Sequence, residues 1–564
     1  MDISEYCKVI LTADEASINQ GTTNLCLYRI LWMSLRRHCR QKKIEQAKLI
    51  NIHACTNEPA LIAWVDAHWD QYVAVKYPEN PGRRGPKPKA KTQDIFRVLF
   101  LNLYAVWQED PVGCLSFPRG ENYYRVNTRY NKLFVSKKII EIADLLLALG
   151  FIDQWKGSEG ARKYSRIWPT KKLMEYFRSG DFAEFLIDNH MGRECIILRG
   201  DSVDLDENSE AIDETDSTNK KGKQGELDYD DKNVPFDIVS ARELLQDYNA
   251  LLRKTHIDIS SKEQPFIISE YYNRRLGRYE TRKVSLRHDN KFVRRIYYRG
   301  KWTLGGRYHG GWWQQIPSRL RDQILIDDQY TVEVDFSGFH ISLAYGLEGH
   351  QPPDDPYALS VSIGGLSKEQ QRKDVKLVAL TAINAKDRKT TFSAFRDQRN
   401  RDQRGLPSSQ KIKYTDILLD QLLNNFLQEN TPISNYLCAD KGVELMALDG
   451  EITTQIIKHF TDRKVPILTV HDSYIVESSR EQELMDVMQS VTREVVGNHK
   501  FKMKQEQLSP NMIQTFTNQD KQINAMDGYK SITSSITRTS GYNTRYKAFQ
   551  KYLEDYPLSS SSGP

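Results

Sequence analysis

Apolar and polar residues alternate most cleanly between Tyr330 and Asp335, with Val332 and Val334 pointing one way and Thr331, Glu333 and Asp335 the other. The pattern predicts a strand with Asp335 at its end. Far downstream, Pro466 to Val476 is two short, apolar, β-prone runs separated by only His471 and Asp472, which predicts a hairpin with the polar pair at its tip. Between these two stretches, Ser367 to Ala385 has neither Pro nor Gly and opens with the S-x-x-Q spacing of a capping box from Ser367 to Gln370, so a helix is expected. Val375, Val378, Ala379 and Ala382 supply its apolar side. Arg372 and Lys376 stand one turn apart on another face, and Leu380 and Asn384 continue that stripe at steps of four.

The same reading divides the rest of the chain. Residues 1–79 are mostly helical in pattern, with Leu25, Leu27, Leu31, Met33 and Leu35 among basic residues, and residues 80–91 form a Pro- and Gly-containing basic linker. Residues 92–200 predict a winged-helix-like domain: helices near 94–107 and 137–149, with Ser136 as a cap, then two strands around a basic loop from Lys156 to Lys163. Residues 201–235 are acidic and almost without large apolar side chains, which predicts a disordered linker. An amphipathic helix follows from Phe236 to Ile257. From Tyr271 to Tyr298, arginines and lysines interleave with tyrosines, as in a groove that tracks a nucleic-acid backbone. Trp312 and Trp313 are expected in the core, and Asp449 and Glu451 on the exposed face of a helix spanning 445–460.

Composition adds limits. A chain of 564 residues suggests two or three domains. Its 80 Lys and Arg against 74 Asp and Glu leave a net charge of only +6, but removing the acidic 201–231 segment leaves a more basic body, as phosphate binding requires. Seven cysteines with no C-x-x-C pair suggest reduced thiols and no zinc site. With no apolar run long enough for a membrane span and no signal peptide at the start, a cytoplasmic protein without membrane partners is expected.

The chemistry centres on Asp335 and Asp472. If their strands are neighbours, the carboxylates repel by roughly 1–4 kcal/mol at about 4 Å unless a cation lies between them. Two aspartates holding Mg2+ or Mn2+ suit phosphoryl transfer, and the cationic face of the 367–385 helix suits a triphosphate. The ordered set D-F-S-G at Asp335, R-x-x-x-K at Arg372 and Lys376, and V-H-D-S at Asp472 resembles motifs A, B and C of the family A polymerases, the group of DNA polymerase I and the single-subunit phage-type RNA polymerases. The likeness spans residues 305–476. It implies an α+β, right-hand fold of palm, fingers and thumb over residues 236–564, with Asp335 and Asp472 as catalytic metal ligands. Arg372, Lys376, His340, Leu380 and Asn384 would contact the nucleotide, and Arg307, His471 and Ser473 the primer or template, with Ser337 also lining the pocket.

Four positions, spread over the three motifs, depart from the pattern of the DNA polymerase I relatives. His340 stands where DNA polymerase I relatives carry a glutamate, Asn384 and Ala385 replace Tyr-Gly, and the third motif ends in H-D-S rather than H-D-E. The expectation is a template-directed DNA polymerase acting in replication or repair of a phage, plasmid or other mobile element. The alternatives are a DNA-dependent RNA polymerase or primase-like enzyme, and a DNA-binding protein with an inactive polymerase fold. Nucleic acid and nucleoside triphosphates are the expected partners, and oligomeric state is open.

Overall fold

The structure, a computed structural model, describes residues 40–77, 89–156, 164–497 and 499–556, apart from 42, 121–122, 201–224, 274–277, 506–512, 514–516, 518 and 535. The expected helical pattern around Leu25 to Leu35, most of the basic linker, the tip of the wing loop and the Ser-rich end lie outside the described residues. What is described is a mixture of helix and strand.

Gln329–Phe336 is the middle strand of a six-stranded sheet. On one side it pairs antiparallel with Ser473–Glu477, which turns back into Leu468–Val470; on the other it pairs with Ile324–Ile326 and then, near its end, with Met503–Gln505. Ile257–Ile259 lies beyond Ile324–Ile326. The alternation seen in the sequence is the reason for this placement: Val332, Val334 and Phe336 are buried, while Glu333 and Asp335 stay partly open. Helices Gly442–Asp462 and Glu481–Val496 share that core through Ile452, Ile456, Leu484 and Met488. Trp312 and Trp313 are fully buried, as their sequence context suggests.

Toward the amino terminus, Lys48–Leu49, Leu115–Phe117, Ser165–Pro169 and Ile152–Trp155 form a separate sheet. Its last two strands are the expected hairpin, and helices Thr92–Glu109 and Lys138–Ala148 precede it as the pattern requires. The expected break between residues 79 and 92 is not a break in packing. Leu61 and Val65 from helix Pro59–His68 share one core with Phe96, Phe100, Ile139 and Ile167. The cause is that Ile95 and Phe96, then Val98 through Val106, are buried without interruption, so that helix needs cover on several faces.

Two further boundaries move. Ile196–Leu198 pairs parallel to Val293–Tyr297, so the chain enters the larger body before residue 200. The expected disordered linker also ends sooner than residue 235. The Leu227 amide donates to the Leu198 carbonyl at 2.7 Å, Leu227, Tyr229 and Val234 pack on the core, and Asp231 pairs with Arg129 and Arg242 at 2.7 and 3.0 Å.

The basic stretch before residue 298 is corrected most. Lys283 pairs with Glu109 at 2.8 Å, Arg287 with Glu184 at 3.0 Å, and Lys291 donates to the Thr255 carbonyl at 2.7 Å. Arg295 donates to the Gly306 carbonyl at 2.8 Å. Arg287, Lys291 and Arg295 are buried and the Lys283 side chain is only 7% exposed; all four face protein acceptors, two of them more than 100 residues upstream, rather than a nucleic-acid groove. No described helix is long and apolar enough to cross a membrane.

Candidate active site

The two aspartates meet because the sheet places their strands side by side. Asp335 stands opposite Ser473 in register, and the Phe336 amide donates to the Asp472 carbonyl at 3.3 Å. His471 and Asp472 form the two-residue turn foreseen, with His471 at φ 54°, a left-handed conformation that a side chain other than glycine adopts at a cost. Burial, then the neighbouring Asp472 and Glu333, push the Asp335 carboxyl up to about 7 against the pull of Lys376 and Lys504. Lys504 lies across the opposite strand edge, paired in register with Asp335.

Crowded, partly desolvated carboxylates fit a hard divalent cation with oxygen ligands. Among the described residues there is no cluster of three or more His, Cys, Asp or Glu side chains able to cage a metal. A cation held by Asp335 and Asp472 would therefore complete its shell with backbone oxygens, water or substrate phosphate, the usual habit of Mg2+.

The expected cationic helix spans Lys368–Asn384. The Ser367 hydroxyl accepts from the Gln370 amide at 3.1 Å, but the return half of the capping box is not made: the Gln370 side chain donates to Asp374 at 2.9 Å instead. Asp374 is fully buried and gathers donors, including Arg399 at 2.7 Å and Tyr414 at 3.1 Å. This anchors the helix with Val375, Val378, Ala379 and Ala382 inward and Arg372 and Lys376 exposed. The Lys376 ammonium lies 5.9 Å from the Tyr357 ring centre, while Arg372 donates to Asp355 at 2.5 and 3.0 Å.

Leu380 is half-buried one turn on from Lys376. Asn384 follows at the end of the same helix. Its amide donates to the Leu380 carbonyl at 3.0 Å, and its oxygen crowds Gly442, where a Cβ would approach to 1.9 Å.

Arg307 and His340, assigned to different partners by the sequence, bind each other. Arg307 donates through Nε to Asp449 and through Nη2 to His340 Nε2 at 2.8 Å, with all three residues buried. Burial and Arg307 hold His340 well below the usual histidine range, so its ring is a neutral acceptor. The Thr453 hydroxyl joins Asp449, at 3.4 Å, to the Tyr474 hydroxyl, at 2.8 Å, which carries the network to the Asp472 hairpin. Arg307 is thus held by Asp449 and His340 inside the protein, and Asp449 is not on an exposed face. The signal for this was Gly450 in mid-helix: a Cβ there would come within 2.0 Å of the Gly306 carbonyl, so Gly lets the helix touch the Arg307 strand.

Ser473 is likewise buried. Its hydroxyl donates to Glu333 at 2.6 Å, and Arg321 holds the same carboxylate through two bonds of 2.9 Å. It ties two strands together. Sequence reasoning passed over Asp355, Tyr357 and Lys504 because their relevance depends on the tertiary pairing. No protein-family model matches this chain, and the search of curated proteins finds no match.

Proposed function

We propose that this chain is a template-directed DNA polymerase that uses a divalent metal, Mg2+ or Mn2+, and is built as palm, fingers and thumb. The observation that carries the reading is the pairing of Asp335 with the Asp472 hairpin, with the exposed Lys376 close enough for its charge to act on Asp335. In the proposed reaction a primer 3′-hydroxyl oxygen bonds to the α-phosphorus of a nucleoside triphosphate. The bond from that phosphorus to the bridging oxygen breaks, pyrophosphate leaves, and the hydroxyl proton passes to water.

Asp335 and Asp472 would hold the cation. When bound, it supplies positive charge to the attacking and leaving oxygens. Lys376 draws the triphosphate toward the aspartates, and Arg372 exchanges Asp355 for phosphate oxygens, which suit the same two-pronged geometry. The Arg307–Asp449–His340 network fixes the helix after Asp335 against the third motif, so the carboxylates hold their orientation before substrate arrives.

The test is extension of a labelled primer on a DNA template with Mg2+, supplying deoxynucleotides or ribonucleotides in separate reactions. Deoxynucleotide incorporation that disappears in Asp335→Ala supports the reading. Ribonucleotide incorporation, or synthesis without a primer, would move the assignment to the RNA polymerase or primase class. DNA binding without incorporation under any of these conditions would reduce the chain to a binding protein.

A further inference from the structure

The sheet sets Lys504 opposite Asp335, on the edge away from the Asp472 hairpin. Residues directly opposite in an antiparallel pair carry their side chains on the same face, so Lys504 and Asp335 share one. The Ser337 amide donates to the Lys502 carbonyl at 2.8 Å, which continues the pairing one residue beyond Met503. Side chains alternate along a strand, and Lys502 therefore joins Lys504 on that face. The other side of the strand is fixed in the core. Phe501 is buried with its ring centre 6.1 and 6.0 Å from those of Phe336 and Phe339, and Met503 pairs with Phe336 and packs inward. The backbone is thus held in place, while both lysines are exposed to solvent.

The anion these ammonium groups suit follows from Asp354 and Asp355. Lys502 donates to Asp354 at 2.6 Å, and Arg372 grips Asp355 from the cationic helix. Burial opposes ionisation of Asp355, but the Arg372 bond and the charges of Arg372 and Lys502 lower its carboxyl overall, so both cations act on one carboxylate. The Asp354 side chain is fully exposed, and those of Lys502 and Arg372 are each 52% exposed. Ion pairs this open contribute little, which leaves Lys502 and Arg372 able to exchange carboxylate for a stronger anion. Lys376 is exposed as well, and its charge and that of Lys504 both reach Asp335. Four solvent-facing cations on two elements therefore border the Asp335 site. A polyphosphate concentrates several negative charges in one compact group, whereas a nucleic-acid backbone spaces single charges along the strand.

We propose that Lys502 and Lys504 form the strand side of the polyphosphate site, complementing Arg372 and Lys376 on the helix, and bind the β- and γ-phosphates of the nucleotide and the pyrophosphate that leaves. This rests on the polymerase reading above. It adds a basic strand that lies beyond the third motif, outside the ordered motif set, to the groups that hold the nucleotide.

The experiment compares Lys502→Gln and Lys504→Gln with the parent full-length chain, with Lys502→Arg as the variant that keeps the charge. Each glutamine variant is expected to raise the nucleotide KM about tenfold and to weaken inhibition by inorganic pyrophosphate by a similar factor. Primer–template affinity and melting temperature should match the parent's, and Lys502→Arg should keep KM and pyrophosphate inhibition near the parent's. Unchanged KM and unchanged pyrophosphate inhibition in the glutamine variants would make the lysines simple protection of an edge strand and overturn the proposal. Weaker primer–template binding with pyrophosphate inhibition unchanged would overturn it too, because the contact would then be to the nucleic-acid backbone. If the parent itself incorporates nothing, the polymerase reading fails separately. Calorimetric titration of parent and variants with Mg2+-pyrophosphate then decides the role of the lysines alone: weaker binding in the glutamine variants supports it, and equal or absent binding overturns it.

Discussion

At the scale of single residues, the site is assembled from groups that are unfavourable in isolation and explicable together. Asp335 and Asp472 crowd each other, and replacing one by a neutral isostere should relieve that crowding while removing one of the two proposed metal ligands. Asp335→Asn is expected to unfold at a higher denaturant concentration than the parent in metal-free buffer, by about 1 kcal/mol, and to lose incorporation by at least about 100-fold. A variant that is both less stable and inactive would show that Asp335 supports the fold rather than the chemistry. Asp449 behaves in the opposite way. Asp449→Ala removes the buried carboxylate to which Arg307 Nε donates, and thermal or chemical melting should register a loss of about 3–5 kcal/mol. These two aspartates stand only 114 positions apart in one chain, yet their surroundings give them opposite signs of effect.

Elements show why part of this was legible in advance. The strand ending at Asp335, the two-residue turn at His471 and Asp472, and the apolar side of the 368–384 helix rest on local periodicity, and the structure keeps all three. The orientations of Arg307, His340, Ser473 and Asn384 rest on which elements pack face to face, and local pattern carries little of that. Gly450 was a local mark of one such contact. In Gly450→Ala the added methyl meets the Gly306 carbonyl, so helix Gly442–Asp462 must shift from its strand. A cost of about 1–3 kcal/mol by denaturant melting is expected, and an unperturbed variant would contradict the close approach.

His68 offers an element-scale test in the amino-terminal core. Its fully buried ring lies against Tyr72, Phe96, Phe100, Phe151 and Tyr176, and neither ring nitrogen has a partner among the described residues. Burial, then Lys172, lower its pKa to about 4. The unfolded imidazole takes up a proton below about 6.5, while the folded one stays neutral until about 4. The unfolded state therefore binds more protons across this window, and stability falls as pH drops through it. His68→Phe should remove that component, on the order of 2–3 kcal/mol between pH 6.5 and 4, in denaturant melts at the two pH values. An unchanged acid dependence would place the ring in contact with water.

Across the whole molecule, charge couples the amino-terminal module to the larger body. Lys43 and Lys283 converge on Asp110 at 2.6 and 3.4 Å, Lys283 also holds Glu109, and Lys48 reaches Asp289 at 3.0 Å. A local reading assigns Lys283 to nucleic acid because its carboxylate partners are 173 and 174 positions away. Calorimetry of Lys283→Ala is expected to show a loss of about 3–5 kcal/mol from the unpaired Glu109, with the amino-terminal module melting first. A single unchanged transition would show that the two cores do not depend on this cluster.

The central claim is that Asp335 and Asp472 together support metal-dependent nucleotidyl transfer. Its most direct test is single-turnover extension of a primer bound to a DNA template, started by Mg2+ and one deoxynucleotide, in the parent and in Asp472→Asn. The account predicts a one-nucleotide product in the parent, none without Mg2+, and at least a 100-fold slower rate in the variant with primer–template binding retained. Equal rates in parent and variant would contradict it.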